Sequence, residues 1–177
     1  LCGMALDRVV DPDLIVSVNG ALLPFGGVAG NLFGPLARLA AGTSLLPRLF
    51  SWRARADGHM VRRLIRDTGS RIGGVELEMY ERLAKRPGHV AAALAMMAHW
   101  DLEALQRDLP RLPVPLTLLI GMRDRAVPPS EARRVRSILP ATRIVELPGL
   151  GHVAHEEDPA TVGEAILAQA AKSVRRD

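Results

Sequence analysis

Strands and helices alternate in the last third of the chain, and no other feature restricts the fold as strongly. Apolar runs at residues 116–120 and 143–147 predict strands, and helical patterns follow them at about residues 130–138 and 159–174. Alternating elements of this length form a parallel sheet with covering helices. A third apolar run, at residues 14–18, predicts another strand of that sheet. The sequence therefore predicts an α/β fold.

Residues 20–110 carry helical patterns that no predicted strand interrupts. Three helices are predicted in the second half of this range, at residues 74–86, at residues 89–100 and directly after Asp101. We interpret residues 20–110 as a helical cap inserted into an α/β core. That core would combine a helix tail and a strand in residues 1–19 with the elements of residues 111–177.

An insertion at this point would lie above the carboxyl edge of the sheet, where α/β proteins bind ligands. Its apolar residues either pack the cap on the core or also cover a pocket for a hydrophobic small molecule; they are Leu22, Leu23, Phe25, Leu32, Phe33, Met96, Met97 and Trp100. Gly26, Gly27 and Gly30 would let the first segment of the cap move. We expect a largely hydrophobic substrate.

The net charge of +4 arises within residues 20–110, and the densest basic part contains Arg53, Arg55, Arg62, Arg63, Arg66 and Arg71. This cluster either attracts an anionic ligand or partner or is a solvated helical face, which is the more common case. Aromatic residues make up only 3% of the chain and do not interleave with the arginines. Nucleic acid is therefore not an expected partner.

Composition and cysteine usage indicate a globular protein of a reducing compartment. With 48% hydrophobic residues among 177, the chain can bury one core. Cys2 is the only cysteine, which excludes an internal disulfide. No apolar stretch approaches the ~20 residues that cross a bilayer. We expect no transmembrane segment and a cytoplasmic location.

An acid and a histidine follow the last two predicted strands. Asp124 lies in a Gly-x-x-Asp-x-x-x-Pro turn after residues 116–120, and His152 follows the Gly149-Leu150-Gly151 turn after residues 143–147. Parallel strands end at the same edge of a sheet, so both side chains would emerge there. Asp124 alone could be a simple turn aspartate, but the ordered pair indicates the acid and base of a catalytic triad.

The nucleophile of such a triad is missing from the sequence. A Gly-x-Ser-x-Gly turn would carry it, in the chain order serine, acid, histidine, and none of the seven serines has this context. We expect the chain to begin shortly after the nucleophile, so that these residues alone would be inactive.

Other polar residues are weaker candidates. Asn19, at the end of the first strand, is interpreted as a turn residue whose amide is a lesser candidate for a ligand contact. Cys2 is expected to be a buried helical thiol rather than a nucleophile. His155 is expected to be structural. No pair of histidines has metal-ligand spacing with a carboxylate, so neither a metal nor a cofactor is predicted.

Taken along its whole length, the chain resembles the C-terminal part of the α/β-hydrolase superfamily, with a cap after the sixth strand. Within it, the chain is similar to the BchO family, accessory proteins of magnesium chelatase in bacteriochlorophyll synthesis. This similarity rests on residues 18–25, 46–50, 68–71, 86–90 and 96–102.

The resemblance implies a role near the insertion of magnesium into protoporphyrin. It implies a porphyrin or magnesium chelatase subunits as partners, and a flat apolar porphyrin with anionic propionates would suit an apolar cap with arginines at its rim. Two functions remain open. One is serine-type hydrolysis of an ester or amide, and the other is a non-catalytic accessory scaffold.

Overall fold

The structure is a computed structural model that describes residues 1–24, 43 and 45–174. It divides into two compact units. Unit 1 comprises Leu1–Leu23, Asp67–Arg71 and Leu102–Asp177, and unit 2 comprises Pro24–Arg66 and Ile72–Asp101. The predicted division into residues 1–19, 20–110 and 111–177 stays a prediction. Phe25, Leu32, Phe33 and the three glycines of the expected mobile segment lie outside the described residues.

Unit 1 contains a parallel sheet with covering helices, which confirms the predicted α/β fold. Its elements in chain order are α1 (Cys2–Leu6), β1 (Ile15–Val18), α6 (Leu102–Asp108), a 3-10 turn (Leu109–Arg111), β2 (Leu116–Gly121), α7 (Pro129–Ile138), β3 (Arg143–Leu147), α8 (Ala154–Glu157) and α9 (Pro159–Val174). Within the described residues the sheet has the order β1-β2-β3. Ile15 pairs with Leu116, and Thr117 pairs with Arg143.

The central strand β2 is buried over its whole length because both faces of the sheet are covered. Successive side chains of a strand point to opposite faces. Leu116, Leu118 and Ile120 belong to one core cluster, which also contains Cys2 and Val135. Leu119 belongs to the cluster on the other face. This double burial explains why the strand reads as a continuous apolar run rather than as an alternating one.

The last helix, α9, begins at a well-formed cap. The carboxylate of Asp158 accepts hydrogen bonds from the hydroxyl of Thr161 at 2.6 Å and from its backbone N–H at 3.0 Å. The bond from the hydroxyl of Thr161 contributes most, and the bond from its N–H less, to holding the pKa of Asp158 below its usual value. Such a residue satisfies N–H groups that the first helical turn leaves unpaired, so the sequence fixes where the helix starts.

Unit 2 is helical in the described residues. Its helices are α2 (Leu45–Ala56), α3 (Met60–Asp67, of which the last residue belongs to unit 1), α4 (Gly74–Ala84) and α5 (Pro87–Ala98). Pro87 lies in the first turn of α5, where its missing N–H needs no partner.

We expect Leu119→Ala to lower the free energy of unfolding by about 2–5 kcal/mol, because Leu119 is 0% exposed and its loss leaves a cavity. Leu167→Ala is the matched control, since Leu167 is 71% exposed and should change stability by less than about 0.5 kcal/mol. Urea unfolding of both variants checks this. Equal losses would mean that β2 is not the core strand.

Candidate functional site

Asp124 lies in the turn that follows β2, and that turn fixes its carboxylate. The N–H of Asp124 donates to the carbonyl of Gly121 at 2.9 Å. Its Oδ1 accepts the N–H groups of Ala126 and Val127, both at 2.8 Å. Asp124 is only 3% exposed. Two backbone donors therefore hold one oxygen of a buried carboxylate and leave the other to face a neighbour.

That neighbour is His152, whose Nδ1 lies 2.9 Å from Oδ2 of Asp124. The two turns are also joined through their backbones, because the N–H of Arg123 donates to the carbonyl of Leu150 at 2.8 Å. The His152 side chain is 33% exposed, whereas that of Asp124 is 0% exposed. The structure thus brings together the two residues that the sequence singled out, with the acid buried and the imidazole accessible.

Asn19 supports this pair in a way that the sequence analysis missed. Its amide nitrogen donates to the carbonyls of Gly151 and His152, both at 2.8 Å, and its Oδ1 accepts the N–H of Gly121 at 2.7 Å. Both amide hydrogens are used, so the amide has no hydrogen left to donate to a ligand. The signal available in the sequence was an Asn-Gly pair at a strand end, which is typical of a turn. Indeed Asn19 has a φ of +50°.

Cys2 and His155 are the remaining polar candidates. Cys2 is buried, as predicted, and burial raises the pKa of its thiol above the usual value, which disfavours a nucleophilic thiolate. His155 lies on α8 with its Nε2 3.6 Å from a carboxylate oxygen of Glu156. In the described part of the chain, no group of three or more His, Cys, Asp or Glu side chains is placed to hold a metal ion.

The arrangement of Asp124 and His152 is suited to proton transfer. A carboxylate that accepts from Nδ1 fixes the imidazole tautomer with the proton on that nitrogen. Exchange of a proton with a nucleophile then falls to Nε2. The same carboxylate stabilises the imidazolium that forms, so the pair has the geometry of a general base and its orienting acid.

Unit 2 contains a separate apolar cavity of about 770 Å³. Its described lining is mainly aliphatic and includes Phe50, Leu64 and Met97, with Arg53 and His89 among its polar members. Of the other residues expected to cover a pocket, Leu22 and Leu23 pack in the core of unit 1, and Met96 and Trp100 are exposed. The volume of the cavity in unit 2 falls in the range of small-molecule sites.

The arginine cluster is partly neutralised. Asp57 forms ion pairs with Arg53, at 3.3 Å, and with Arg63. A hydrogen bond from the N–H of His59, followed by one from Arg63, holds the pKa of Asp57 below its usual value. Arg55 donates to the carbonyl of Lys85 at 2.6 Å. Asp57 therefore offsets part of the positive charge of Arg53 and Arg63.

The family model described as "Alpha/beta hydrolase family" matches residues 2–165, which is most of the chain. The chain belongs to the alpha/beta hydrolase family. This match confirms the resemblance to the α/β-hydrolase superfamily. In this family, an acid and a histidine after two successive strands are the expected partners of a nucleophile.

One curated relative and several solved structures are similar to the chain. The chain is 36% identical over 153 residues to the Magnesium-chelatase 30 kDa subunit of Rhodobacter capsulatus. The aligned residues make up 86% of this chain and 52% of that protein. The chain thus spans about half the length of this relative. The likeness confirms the resemblance to the BchO family.

The solved structures support the fold. An alpha/beta hydrolase fold protein from Burkholderia ambifaria has a TM-score of 0.67 at 18% identity, with 93% of this chain and 60% of that chain covered. A thermophilic esterase from Thermogutta terrifontis has a TM-score of 0.59 at 20% identity, with 91% and 56% covered. Among the described residues, no helix is both long and apolar enough to cross a membrane.

Proposed function

We propose that the full-length protein is a serine-type hydrolase of an ester or amide, in which Asp124 and His152 act with a serine nucleophile outside residues 1–177. The observation that supports this most directly is the 2.9 Å contact between the buried carboxylate and the accessible imidazole at the carboxyl edge of the sheet. Family membership adds the expected chain order of nucleophile, acid and histidine.

In the proposed reaction, the hydroxyl oxygen of the nucleophilic serine attacks the substrate carbonyl, and Nε2 of His152 takes the proton of that hydroxyl. His152 then returns the proton to the leaving group. Asp124 keeps the ring oriented and stabilises its positive charge without being protonated itself. Departure of the leaving group leaves the acyl group on the serine. Water then attacks this acyl-enzyme with the same help from His152, which releases the acid product and regenerates the serine.

The test is hydrolysis of p-nitrophenyl butyrate by the full-length protein. We expect saturable turnover well above the rate of buffer alone, together with a Gly-x-Ser-x-Gly turn upstream of residue 1. A non-nucleophilic residue at that turn, with no turnover, would refute the hydrolase function and leave the scaffold.

We further propose a biological place beside magnesium chelatase in bacteriochlorophyll synthesis, in the cytoplasm, with a porphyrin or chelatase subunits as partners. The likeness to the Magnesium-chelatase 30 kDa subunit of Rhodobacter capsulatus supports the association with magnesium chelatase. The second candidate function, a non-catalytic accessory that binds a porphyrin, is favoured by the apolar cavity of unit 2, which has Arg53 in its lining.

We expect Arg53→Gln to weaken binding of protoporphyrin by about five-fold at low salt and to reduce the salt dependence of binding, because an exposed charge contributes up to about 1 kcal/mol. Arg62→Gln is the matched control, since it removes the same charge from an exposed residue that is not in the described cavity lining. Porphyrin fluorescence titration measures both. If the parent protein and both variants bind protoporphyrin with equal affinities and equal salt dependence, the arginine cluster is a solvated helical face.

A further inference from the structure

Residues Asp67–Arg71, called here the return segment, belong to unit 1 although the chain on both sides of them belongs to unit 2. In sequence they lead from α3 to α4. Residues 68–71 contribute to the family resemblance and Arg71 also to the arginine cluster, but the proposed reaction gives none of them a role.

The return segment lies against the turn that carries the acid. The carbonyl of Thr68 accepts the N–H of Arg125, directly after Asp124, at 3.0 Å. Gly69 has a φ of +87°, and a Cβ there would collide with the backbone carbonyl of Arg123. The approach is therefore backbone to backbone, with no side chain between.

The same segment contacts the turn that carries the histidine. A Cβ on Gly151 would lie 2.5 Å from the carbonyl of Gly69 and 2.5 Å from the nitrogen of Ser70. The hydroxyl oxygen of Ser70 accepts the N–H of Val153 at 3.0 Å and the hydroxyl of Thr68 at 3.0 Å. Ser70 is 2% exposed, so these bonds replace contacts with water.

Glu157, at the end of α8, completes this arrangement. Its Oε1 accepts the N–H of Gly151 at 2.6 Å, and its Oε2 accepts the N–H of Arg71 at 3.0 Å. One carboxylate thus joins the return segment to the residue before His152. Ser70 holds the residue after it. The N–H groups on both sides of the histidine are fixed by side chains, and each is connected to the return segment.

We propose that Ser70 and Glu157 are positioning residues that hold the imidazole of His152 in line with Asp124. The expected effect on the reaction rate rests on the hydrolase function proposed above. The position of the His152 ring does not, because it can be measured without turnover. Charge-assisted bonds such as that of Glu157 to a backbone N–H are stronger than neutral ones and define a direction. A displacement of about 1 Å in a catalytic group can lower the rate by about 100-fold.

The experiment compares Ser70→Ala and Glu157→Gln in the full-length protein with Ser130→Ala and Glu164→Gln, which make the same changes at exposed residues. The first readout is the proton NMR signal of the Nδ1–H of His152, identified by its loss in His152→Ala. We expect it to broaden or disappear in the two test variants and to persist in the controls. The second readout is ester hydrolysis. There kcat should fall about 10- to 100-fold with KM changed less than about two-fold.

An unchanged NMR signal in folded Ser70→Ala and Glu157→Gln would overturn the proposal. If Ser70→Ala does not fold, as judged by circular dichroism, Glu157→Gln decides alone, because it keeps the size of the side chain and one acceptor oxygen. If the parent protein hydrolyses no ester, the proposed function fails, and the NMR signal still decides whether these residues position the ring.

Discussion

His152→Ala is expected to lower kcat for p-nitrophenyl butyrate by about 10⁴-fold or more in the full-length protein. The variant removes the base that takes the proton of the nucleophile. Asp124→Asn should cost on the order of 10⁴-fold as well, because an amide facing Nδ1 favours the wrong tautomer of the ring. Steady-state kinetics of the purified variants measures both effects.

His155→Ala is the control for this pair. His155 is three residues away on α8, and its Nε2 lies 3.6 Å from a carboxylate oxygen of Glu156. Its loss should change kcat by less than about three-fold, an effect comparable to a surface substitution. A near-normal rate for the His152 variant would remove that residue from the mechanism, whatever the result for Asp124.

Asn19→Gly should lower the free energy of unfolding by at least about 3 kcal/mol, because two buried backbone groups and one partly buried group lose their partners at about 1–3 kcal/mol each. These groups are the N–H of Gly121 and the carbonyls of Gly151 and His152. Glycine tolerates the positive φ of this position, so the loss reports the hydrogen bonds and not backbone strain.

Two further variants separate the causes. Asn19→Ala adds strain of about 1–2 kcal/mol because alanine disfavours this backbone region. Asn19→Asp keeps the shape and the acceptor for Gly121, yet a carboxylate cannot donate to two carbonyls, so it should be as destabilising as glycine or more. Urea unfolding measures the series. An Asn19→Gly protein as stable as its parent would show that the amide does not join the strand ends.

The strands and the acid–histidine pair could be predicted because their signals are local. The run 116–120 is apolar throughout since both faces of β2 are covered, and Asp124 and His152 each follow a strand directly. Parallel pairing then brings the two turns to one edge of the sheet. No knowledge of distant contacts is needed for this step.

The supporting groups could not be predicted because they depend on contacts between distant parts of the chain. Ser70 reaches Val153 across 83 residues, and Asn19 reaches Gly151 across 132. A serine between Gly69 and Arg71 and an asparagine before Gly20 have many ordinary uses in turns. Only the folded chain shows that their side chains flank His152.

Ionic pairing inside unit 2 was hidden for a related reason. Counting charges along residues 20–110 suggests a basic surface, but the count does not show that Asp57 lies within reach of both Arg53 and Arg63. A carboxylate placed four residues after one arginine and six before the other can pair with both once the two helices are formed.

Labelling with a fluorophosphonate tests the central claim most directly, because a serine that a neighbouring base activates reacts with this reagent far faster than an unactivated serine. The measurement is the intact mass of the full-length protein, its His152→Ala variant and its His155→Ala variant after treatment. The account predicts one covalent adduct on the parent and on His155→Ala, and none on His152→Ala. Absence of an adduct on the parent, or equal labelling of all three proteins, would contradict it.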